Sequence, residues 1–299
     1  MRRRGFLGLA VGLGVAAVTE GCVTISPLAT TGDFPVDAAA SLPNSPTWTA
    51  MKARNGNKGQ IIIGVKADQP GLGTFSSATN SYSGFDILIA RLVAAGLGFS
   101  QDQIQFTTVA SQNRETELEN KTVDLVVASY SYSAERAKLV YFAGPYFTTP
   151  EAILVAKSNT QVTGIDSINS DTDVCEVSNS TTVAGVTLNK PVVRNTYSEC
   201  VDAVKAGQAQ VVYSDYALLL GYLNQDPTKL RVVNTNASIQ YYGIGLPLGD
   251  NALRDAINTI LTTAVANGTW RAIFNSTLGP EGVKAQLPVV GKWPAPATS

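Results

Sequence analysis

Short apolar segments alternate along most of this chain with longer segments whose apolar residues recur at helical spacing. Continuous β-branched or apolar runs at 61–65, 123–128 and 210–213 predict buried strands. The apolar spacing over 85–97 and 251–266 predicts amphipathic helices. Glycine and proline separate many of these segments. Repeated strand–helix–strand units therefore predict an α/β fold, with parallel sheets covered by helices on both faces.

The first residues have the features of an export signal. Three arginines at 2–4 precede an apolar run at 7–18, which is shorter than the roughly 20 residues that cross a bilayer. We interpret residues 1–21 as a signal peptide of the twin-arginine type, and the sequence leaves the general export pathway open. Cys22 follows where a lipid-modified cysteine would become the mature N-terminus. The alternative is an incidental cysteine after an ordinary signal peptide.

Composition limits the kinds of function that the chain can have. It carries 22 basic and 23 acidic residues, which gives no basic surface for nucleic acid. It contains no histidine, which excludes Ser-His-Asp triads, Cys-His dyads and histidine-based metal sites. We therefore expect no metal, no cofactor and no nucleic-acid partner. Residues 22–54 and 291–299 are rich in small and polar residues, and we predict a flexible linker and a flexible tail there.

Two cysteines remain besides Cys22. Cys175 and Cys200 in an exported chain favour a disulfide. Two buried thiols are the alternative, and two cysteines without histidine are too few for a metal site made by protein alone.

Polar residues follow the predicted strand 123–128, at the kind of position where α/β proteins bind ligands. Hydroxyl residues fill 129–133, and Arg136 comes shortly afterwards. Hydroxyls, backbone N–H groups and a bidentate arginine together suit a carboxylate. The plainer interpretation is that Ser133 caps a helix and that Arg136, at the surface, pairs with Glu135 or Asp86.

Three further strand ends carry candidate chemistry. Asp215 follows the strand 210–213, where it either binds a cation or simply caps a helix. The polar segment 178–182 either offers N–H groups to an anion or is an ordinary cap. Lys66 and Arg114 would favour an acidic group if both faced a pocket. Otherwise Arg114 bridges loops and Lys66 is solvated.

Four segments resemble a known family. They are Gly-Phe-Asp at 84–86, the stretch 123–136, Pro-Tyr-Phe at 145–147 and Asn-Gly-Thr-Trp at 267–270. Together they resemble the polar amino-acid-binding family 3 of bacterial solute-binding proteins, the extracytoplasmic receptors of ABC importers. The resemblance covers nearly the whole mature chain.

The resemblance implies an architecture that periodicity alone does not determine. It implies a two-lobed fold of the periplasmic-binding-protein type II, with two crossovers near 151–157 and 241–247 acting as a hinge. Lobe one would comprise residues 55–150 plus 247–290, and lobe two residues 151–246.

The resemblance also implies how the α-groups of an amino acid would be bound. Arg136, with Ser131 five residues before it, would bind the α-carboxylate. The α-ammonium would donate hydrogen bonds to the backbone of Ser129 and to Asp215 of lobe two. The family often has glycine at the position of Ser129. Asp86 lacks the second acidic residue that usually accompanies it, so we expect a structural role for it.

Further candidate positions concern the ligand's carboxylate, its side chain and the walls of the pocket. Ser180 and Thr181 match a segment that binds the α-carboxylate, although the glycine usual there is missing. Lys66 and Arg114 would contact the ligand's side chain. Aromatic residues are candidate walls of the pocket: Tyr82, Phe85 and Tyr130. The cysteine pair and the segment 66–71 are similar to lipid-anchored receptors of the glutamate and glutamine type.

The sequence thus predicts a monomeric, lipid-anchored, extracytoplasmic receptor that binds a polar amino acid and delivers it to an ABC permease. Glutamate, aspartate, glutamine and asparagine all remain open as ligands. One alternative is a sensor that signals occupancy to a membrane partner. Another is a dehydratase-like enzyme on the same fold, which the absence of histidine and of paired carboxylates disfavours.

Overall fold

The computed structural model describes residues 32–180, 188 and 191–294. The predicted signal peptide 1–21, the lipidation site Cys22 and the candidate Thr181 lie outside the described residues. Within the described part of the chain, no helix is both long and apolar enough to cross a membrane.

Strands and helices alternate over most of the described chain. The strands are β1 (Ile61–Val65), β2 (Asp68–Gln69), β3 (Gly73–Ser76), β4 (Ser81–Ser83), β5 (Ile104–Thr108), β6 (Leu125–Val127), β7 (Val140–Ala156), β8 (Val174–Val177), β9 (Val192–Arg194), β10 (Val211–Asp215) and β11 (Leu230–Pro247). The α-helices are α1 (Pro46–Asn57), α2 (Phe85–Gly96), α3 (Arg114–Glu119), α4 (Tyr197–Lys205), α5 (Tyr216–Gln225), α6 (Asn251–Ala266) and α7 (Thr269–Ser276).

Eight strands form one continuous sheet in the order β5-β1-β6-β11-β7-β10-β8-β9. At one end β1 pairs in parallel with β5 and β6, and at the other β8 pairs in parallel with β9 and β10. These parallel parts match the predicted strand–helix units. Strands β2, β3 and β4 form a separate antiparallel sheet, which the sequence analysis did not predict.

Two long antiparallel strands, β7 and β11, connect the two ends of the sheet. Their pairing runs from Val140 opposite Pro247 to Ala156 opposite Leu230, with register shifts after Asn234 and after Tyr242. Strand β11 also pairs with β6, and β7 also pairs with β10. Within β7, the sequence analysis placed a crossover only near 151–157 and missed the first part of the strand, because Gly and Pro interrupt the apolar pattern there. The exact lobe boundaries stay a prediction.

An aromatic core fills lobe one. The ring of Phe85 lies 5.9 Å from that of Trp270 and 5.3 Å from that of Phe147, all fully buried. The Trp270 indole N–H donates to the carbonyl of Tyr146 at 2.7 Å. The expectation that Phe85 forms a wall of the ligand pocket is therefore wrong, because this first residue of α2 faces the helix-packed core.

The predicted disulfide is confirmed. Cys175 on β8 and Cys200 on α4 are joined, and both are fully buried. Closing a loop of this length contributes about 3 kcal/mol in the chain-entropy model. The bond ties together two elements that lead to the site described below.

The flexible-linker prediction for 22–54 is wrong over its last part. Helix α1 begins at Pro46, and the hydroxyl of Ser45 both accepts from the Trp48 N–H and donates to Asp250 at 2.8 Å. Met51 is fully buried against the core. Trp48 also packs against the core, and its indole N–H donates to the carbonyl of Leu97 at 3.0 Å. The helix has too few apolar positions to show a periodicity in sequence.

The flexible-tail prediction for 291–299 is also wrong over its described part. Trp293 stacks on Tyr132 with ring centroids 4.7 Å apart, and the Gly291 N–H donates to the carbonyl of Gly144 at 2.7 Å. The segment is polar apart from this tryptophan, so its composition gave no indication of packing.

A carboxylate of lobe one caps a helix of lobe two. Asp68 Oδ2 accepts from the N–H groups of Tyr197 at 3.1 Å and Ser198 at 3.3 Å, in the first turn of α4. The Tyr222 hydroxyl donates to the same oxygen at 3.2 Å. First-turn N–H groups have no partner within their helix and carry partial positive charge. Asp68 therefore stabilises contact between the lobes.

A close backbone approach lies beside this cap. A Cβ atom at Gly221 on α5 would lie 2.3 Å from the carbonyl oxygen of Pro70, which no real side chain tolerates. Glycine thus permits α5 to approach lobe one. We call Asp68, Pro70, Tyr197, Ser198, Gly221 and Tyr222 the Asp68 latch.

We predict that Asp68→Ala and Gly221→Ala both shift the molecule toward separated lobes. The first removes charge-assisted hydrogen bonds worth about 1.5–3 kcal/mol each, and the second introduces a clash. Small-angle X-ray scattering should show a larger radius of gyration for both variants, and Asp166→Ala, an exposed control, should match the wild type. An unchanged radius in both latch variants would contradict the prediction.

Candidate functional site

A small cavity lies between the lobes, where the strand-end segments meet. It is lined by Ser111, Arg114, Ser129, Ser131, Arg136, Ser180, Tyr197, Asp215 and Leu218. Most of the predicted ligand-binding residues are in this set. Its volume of about 10 Å³ has room for roughly one water molecule. A larger ligand therefore needs the lobes to separate first.

Arg136 is buried at the cavity, with 8% of its surface exposed. Its Nη1 donates to the carbonyl of Ser131 at 2.8 Å, and its Nη2 to the carbonyl of Asn179 at 2.7 Å. Its Nε lies 3.4 Å from a carboxylate oxygen of Glu115. The alternative of a surface arginine is excluded. The two terminal nitrogens are placed to donate to a carboxylate, which is a stronger acceptor than a carbonyl.

Arg114 lies beside Arg136 and reaches the same carbonyl. Its Nη2 donates to Asn179 O at 3.3 Å, and its Nε to Ser111 O at 3.1 Å. Burial, followed by the charge of Arg136, lowers the pKa of Arg114 to about 10. The guanidinium still carries its charge at neutral pH. Two cations therefore face one side of the cavity.

Tyr130 was expected to be a wall of the pocket, but it lies behind the arginines. Its ring centroid is 4.3 Å from the guanidinium carbon of Arg114 and 5.4 Å from that of Arg136, within cation–π range. Its hydroxyl donates to Glu115 at 2.7 Å. Tyr82 also lies elsewhere, on the small sheet, with its hydroxyl 2.8 Å from Thr108 Oγ1.

Ser129 adopts a backbone conformation that favours glycine. Its φ is +43°, and its N–H donates to Asp86 Oδ2 at 2.7 Å. Asp86 also accepts from the Tyr146 hydroxyl at 2.9 Å, and burial raises the pKa of Asp86 to about 7. The expected structural role of Asp86 is confirmed, because it holds the turn at Ser129.

Lys66 lies one layer behind the cavity. Its ammonium donates to Ser111 Oγ at 2.8 Å and to Val109 O at 3.2 Å, and 4% of its surface is exposed. The solvated alternative is therefore wrong. Burial, followed by the charge of Arg114, lowers the pKa of Lys66 to about 7. Lys66 acts on the cavity through the Ser111 hydroxyl.

Asp215 ends β10 opposite the arginines. Its Oδ2 accepts from the Tyr242 hydroxyl at 2.6 Å, and its Oδ1 is buried with no hydrogen-bond partner among the described residues. It makes no side-chain cap bond to α5, so the capping alternative is excluded. Burial raises the pKa of Asp215 to about 7, with a smaller contribution from the charge of Glu151, although the Tyr242 hydrogen bond and the charges of Arg136 and Arg114 act to lower it.

Lobe two approaches the arginines through the segment after β8. Asn179 has φ +57°, which turns its carbonyl toward Arg114 and Arg136, and its side-chain amide donates to Glu115 at 3.2 Å. Ser180 lines the cavity. The helix that Ser180 was expected to cap lies outside the described residues, so that alternative stays open.

The sequence analysis missed several residues around the cavity. These are Ser111, Glu115, Tyr197 and Leu218. Tyr197 and Leu218 sit in the first turns of α4 and α5, and no local motif distinguishes them from core residues. Glu115 directly follows the candidate residue Arg114, and this neighbour gave the sequence analysis its one indication that Glu115 lies at the site.

Known proteins resemble the chain over most of its described length. A family model for bacterial extracellular solute-binding proteins, family 3, matches residues 61–280. The glutamate-binding protein GluB of Corynebacterium glutamicum is 34% identical over 238 residues, covering 75% of this chain and 80% of that protein. The ABC transporter glutamine-binding protein GlnH of Bacillus subtilis is 27% identical over 219 residues, covering 72% and 80%.

Solved structures resemble the fold over about three quarters of the chain. An ancestral arginine-binding protein bound to glutamine aligns with a TM-score of 0.67 and 27% identity, covering 74% of this chain and 99% of that one. A solute receptor for L-cysteine of Neisseria gonorrhoeae aligns with a TM-score of 0.70 and 26% identity, covering 79% and 96%. The predicted two-lobed α/β fold is confirmed. Because the family match spans more than half of the sequence, the chain belongs to the bacterial extracellular solute-binding proteins, family 3.

Proposed function

We propose that the protein is the extracytoplasmic receptor of an ABC importer and binds a polar amino acid between its lobes. The observation that carries this proposal is the buried Oδ1 of Asp215, which has no hydrogen-bond partner among the described residues and lies at a cavity whose opposite side presents Arg114 and Arg136. A buried acceptor facing buried donors is complementary to a zwitterion, which brings one ammonium and one carboxylate.

The α-groups of the ligand would bridge the two lobes. Its carboxylate would accept from Arg136 and the Ser131 hydroxyl, with Ser180 and Thr181 contributing from lobe two. Its ammonium would donate to Asp215 and to the carbonyl of Ser129. These contacts require both lobes at once, so ligand shifts the hinge equilibrium toward contact. A micromolar affinity corresponds to about −8 kcal/mol, which a few desolvated charge pairs can supply.

The side chain of the ligand would meet hydrogen-bond donors. Arg114 and the Ser111 hydroxyl line the cavity, and Lys66 supports Ser111 from behind. Donors favour a side-chain carboxylate or amide over a cation, because two like charges would then be desolvated together. Glutamate, aspartate and their amides fit this chemistry, and glutamate and glutamine appear in the names of the sequence relatives.

Export and anchoring complete the proposal. Twin-arginine export would precede acylation of Cys22, so that a monomer stays at the outer face of the membrane beside its permease. The segment between Cys22 and the packed residue Phe34 would serve as the tether.

We predict that Asp215→Asn and Arg136→Lys weaken amino-acid binding at least thirtyfold. The first removes the acceptor charge, and the second keeps the charge but loses the two-nitrogen contact. Titration calorimetry on the ligand-stripped mature chain, with glutamate, aspartate, glutamine and asparagine, measures the effect. Asp166→Asn and Arg271→Lys, both exposed, are matched controls. If folded wild-type protein binds none of these ligands, the proposed ligand class is wrong.

We predict that affinity falls about tenfold between pH 8 and pH 6. The ammonium of the ligand favours ionised Asp215, whose pKa in the described arrangement is about 7, so protonation at lower pH competes with binding. Titrations at both pH values measure the change, and residual binding by Asp215→Asn should lose it. Equal or tighter binding at pH 6 would argue against contact between the ammonium and Asp215.

We predict that Cys22→Ala moves the protein from the membrane fraction to the soluble extracytoplasmic fraction. A chain that loses its signal peptide without being acylated keeps no apolar anchor. Cell fractionation with immunoblotting measures both the shift and the size of the chain, with Val23→Ala as the neighbouring control. Membrane retention of Cys22→Ala at the size of the cleaved chain would exclude a lipid anchor at this residue.

A further inference from the structure

Glu115 is a buried carboxylate that contacts residues around the cavity but does not itself line it. It sits in the first turn of α3, with 6% of its surface exposed. Its Oε1 accepts from the Tyr130 hydroxyl at 2.7 Å and lies 3.4 Å from Arg136 Nε. Its Oε2 accepts from the Asn179 amide at 3.2 Å. Glu115 thus contacts both the loop that precedes Arg136 and a residue of lobe two.

These contacts divide the donors of Arg136 into two groups. Nε faces Glu115, whereas Nη1 and Nη2 face the carbonyls of Ser131 and Asn179 beside the cavity. A ligand carboxylate that accepts from Nη1 and Nη2 replaces those carbonyls and leaves the Glu115 contact in place. Glu115 therefore fixes the plane of the guanidinium without competing for the nitrogens that meet the ligand.

Glu115 also lowers the net positive charge beside the cavity. Arg114, Arg136 and Lys66 are all buried there, and charges separated by several ångströms of protein interact strongly. The charge of Glu115 favours the protonated form of Arg114, which burial disfavours. A negative charge in this layer repels a second carboxylate on a ligand and leaves an uncharged amide unaffected.

We propose that Glu115 is a positioning residue for Arg136 whose negative charge sets how strongly the site discriminates between an acidic amino acid and its amide. This inference rests on the proposed function, because it assumes an amino-acid ligand. It assigns a role to a residue that the cavity lining alone does not indicate.

The test compares three ligands of different charge in one competition assay on the mature chain: glutamate, glutamine and arginine. In Glu115→Gln, which keeps the size of the side chain, the affinity for glutamate relative to glutamine should rise about tenfold, the ratio that corresponds to 1.4 kcal/mol. The affinity for arginine relative to glutamine should fall. Glu115→Asp keeps the charge, so its ratios should stay within about twofold of wild type, even where all affinities weaken.

A purely structural role predicts a different result. If Glu115 had only a structural role, Glu115→Gln would weaken the binding of all three ligands by the same factor. Affinity ratios that stay unchanged in this variant would therefore overturn the inference. Glu119→Gln, an exposed position on the same helix, is the matched control and should leave both affinities and ratios unchanged. Thermal melts check that each variant is folded. If wild type binds but the ratios do not move, only this inference fails; if wild type binds no amino acid, the proposed function fails with it.

Discussion

Charged groups buried between two lobes need partners of opposite charge or hydrogen-bond partners. The site depends on which of its charged groups the protein pairs and which it leaves for a ligand. Arg136 and Arg114 of lobe one both donate to a single carbonyl of lobe two, that of Asn179. Glu115 forms an ion pair with Arg136 through Nε, whereas Asp215 keeps one buried oxygen without a partner among the described residues. Most hydrogen-bonding groups at the site are thus paired within the protein. The buried oxygen of Asp215 is not, and a ligand must supply a hydrogen-bond donor to it.

The sheet explains why these groups meet. Strands β6 and β10 lie on opposite sides of the long pair β7 and β11, and each ends at the gap between the lobes. The loop with Ser129 follows β6, and Asp215 ends β10. Because β7 and β11 cross from one lobe to the other with irregular register, the two strand ends can approach or separate without breaking either lobe's core.

Contact between the lobes has two separate contributions. The Asp68 latch joins a carboxylate of lobe one to the first turn of α4, whose first residue, Tyr197, also lines the cavity. The arginine contacts to Asn179 lie at the cavity itself. A bound ligand would replace the arginine contacts to Asn179 and leave the Asp68 latch in place. The free-energy cost of closing the lobes around the ligand would then be smaller, because only the contacts at the cavity are exchanged.

Local signals in the sequence determined the α/β class, the disulfide candidates and several cavity-lining residues such as Arg136 and Asp215. Apolar runs and strand-end polar residues are short-range patterns, so they can be recognised without knowing what lies opposite. Tertiary structure alone decided that Lys66 and Tyr130 stand behind the cavity, that Phe85 belongs to the core and that Glu115 pairs with Arg136. Those outcomes depend on which side chains meet across distant segments, and a one-dimensional pattern contains no record of such contacts.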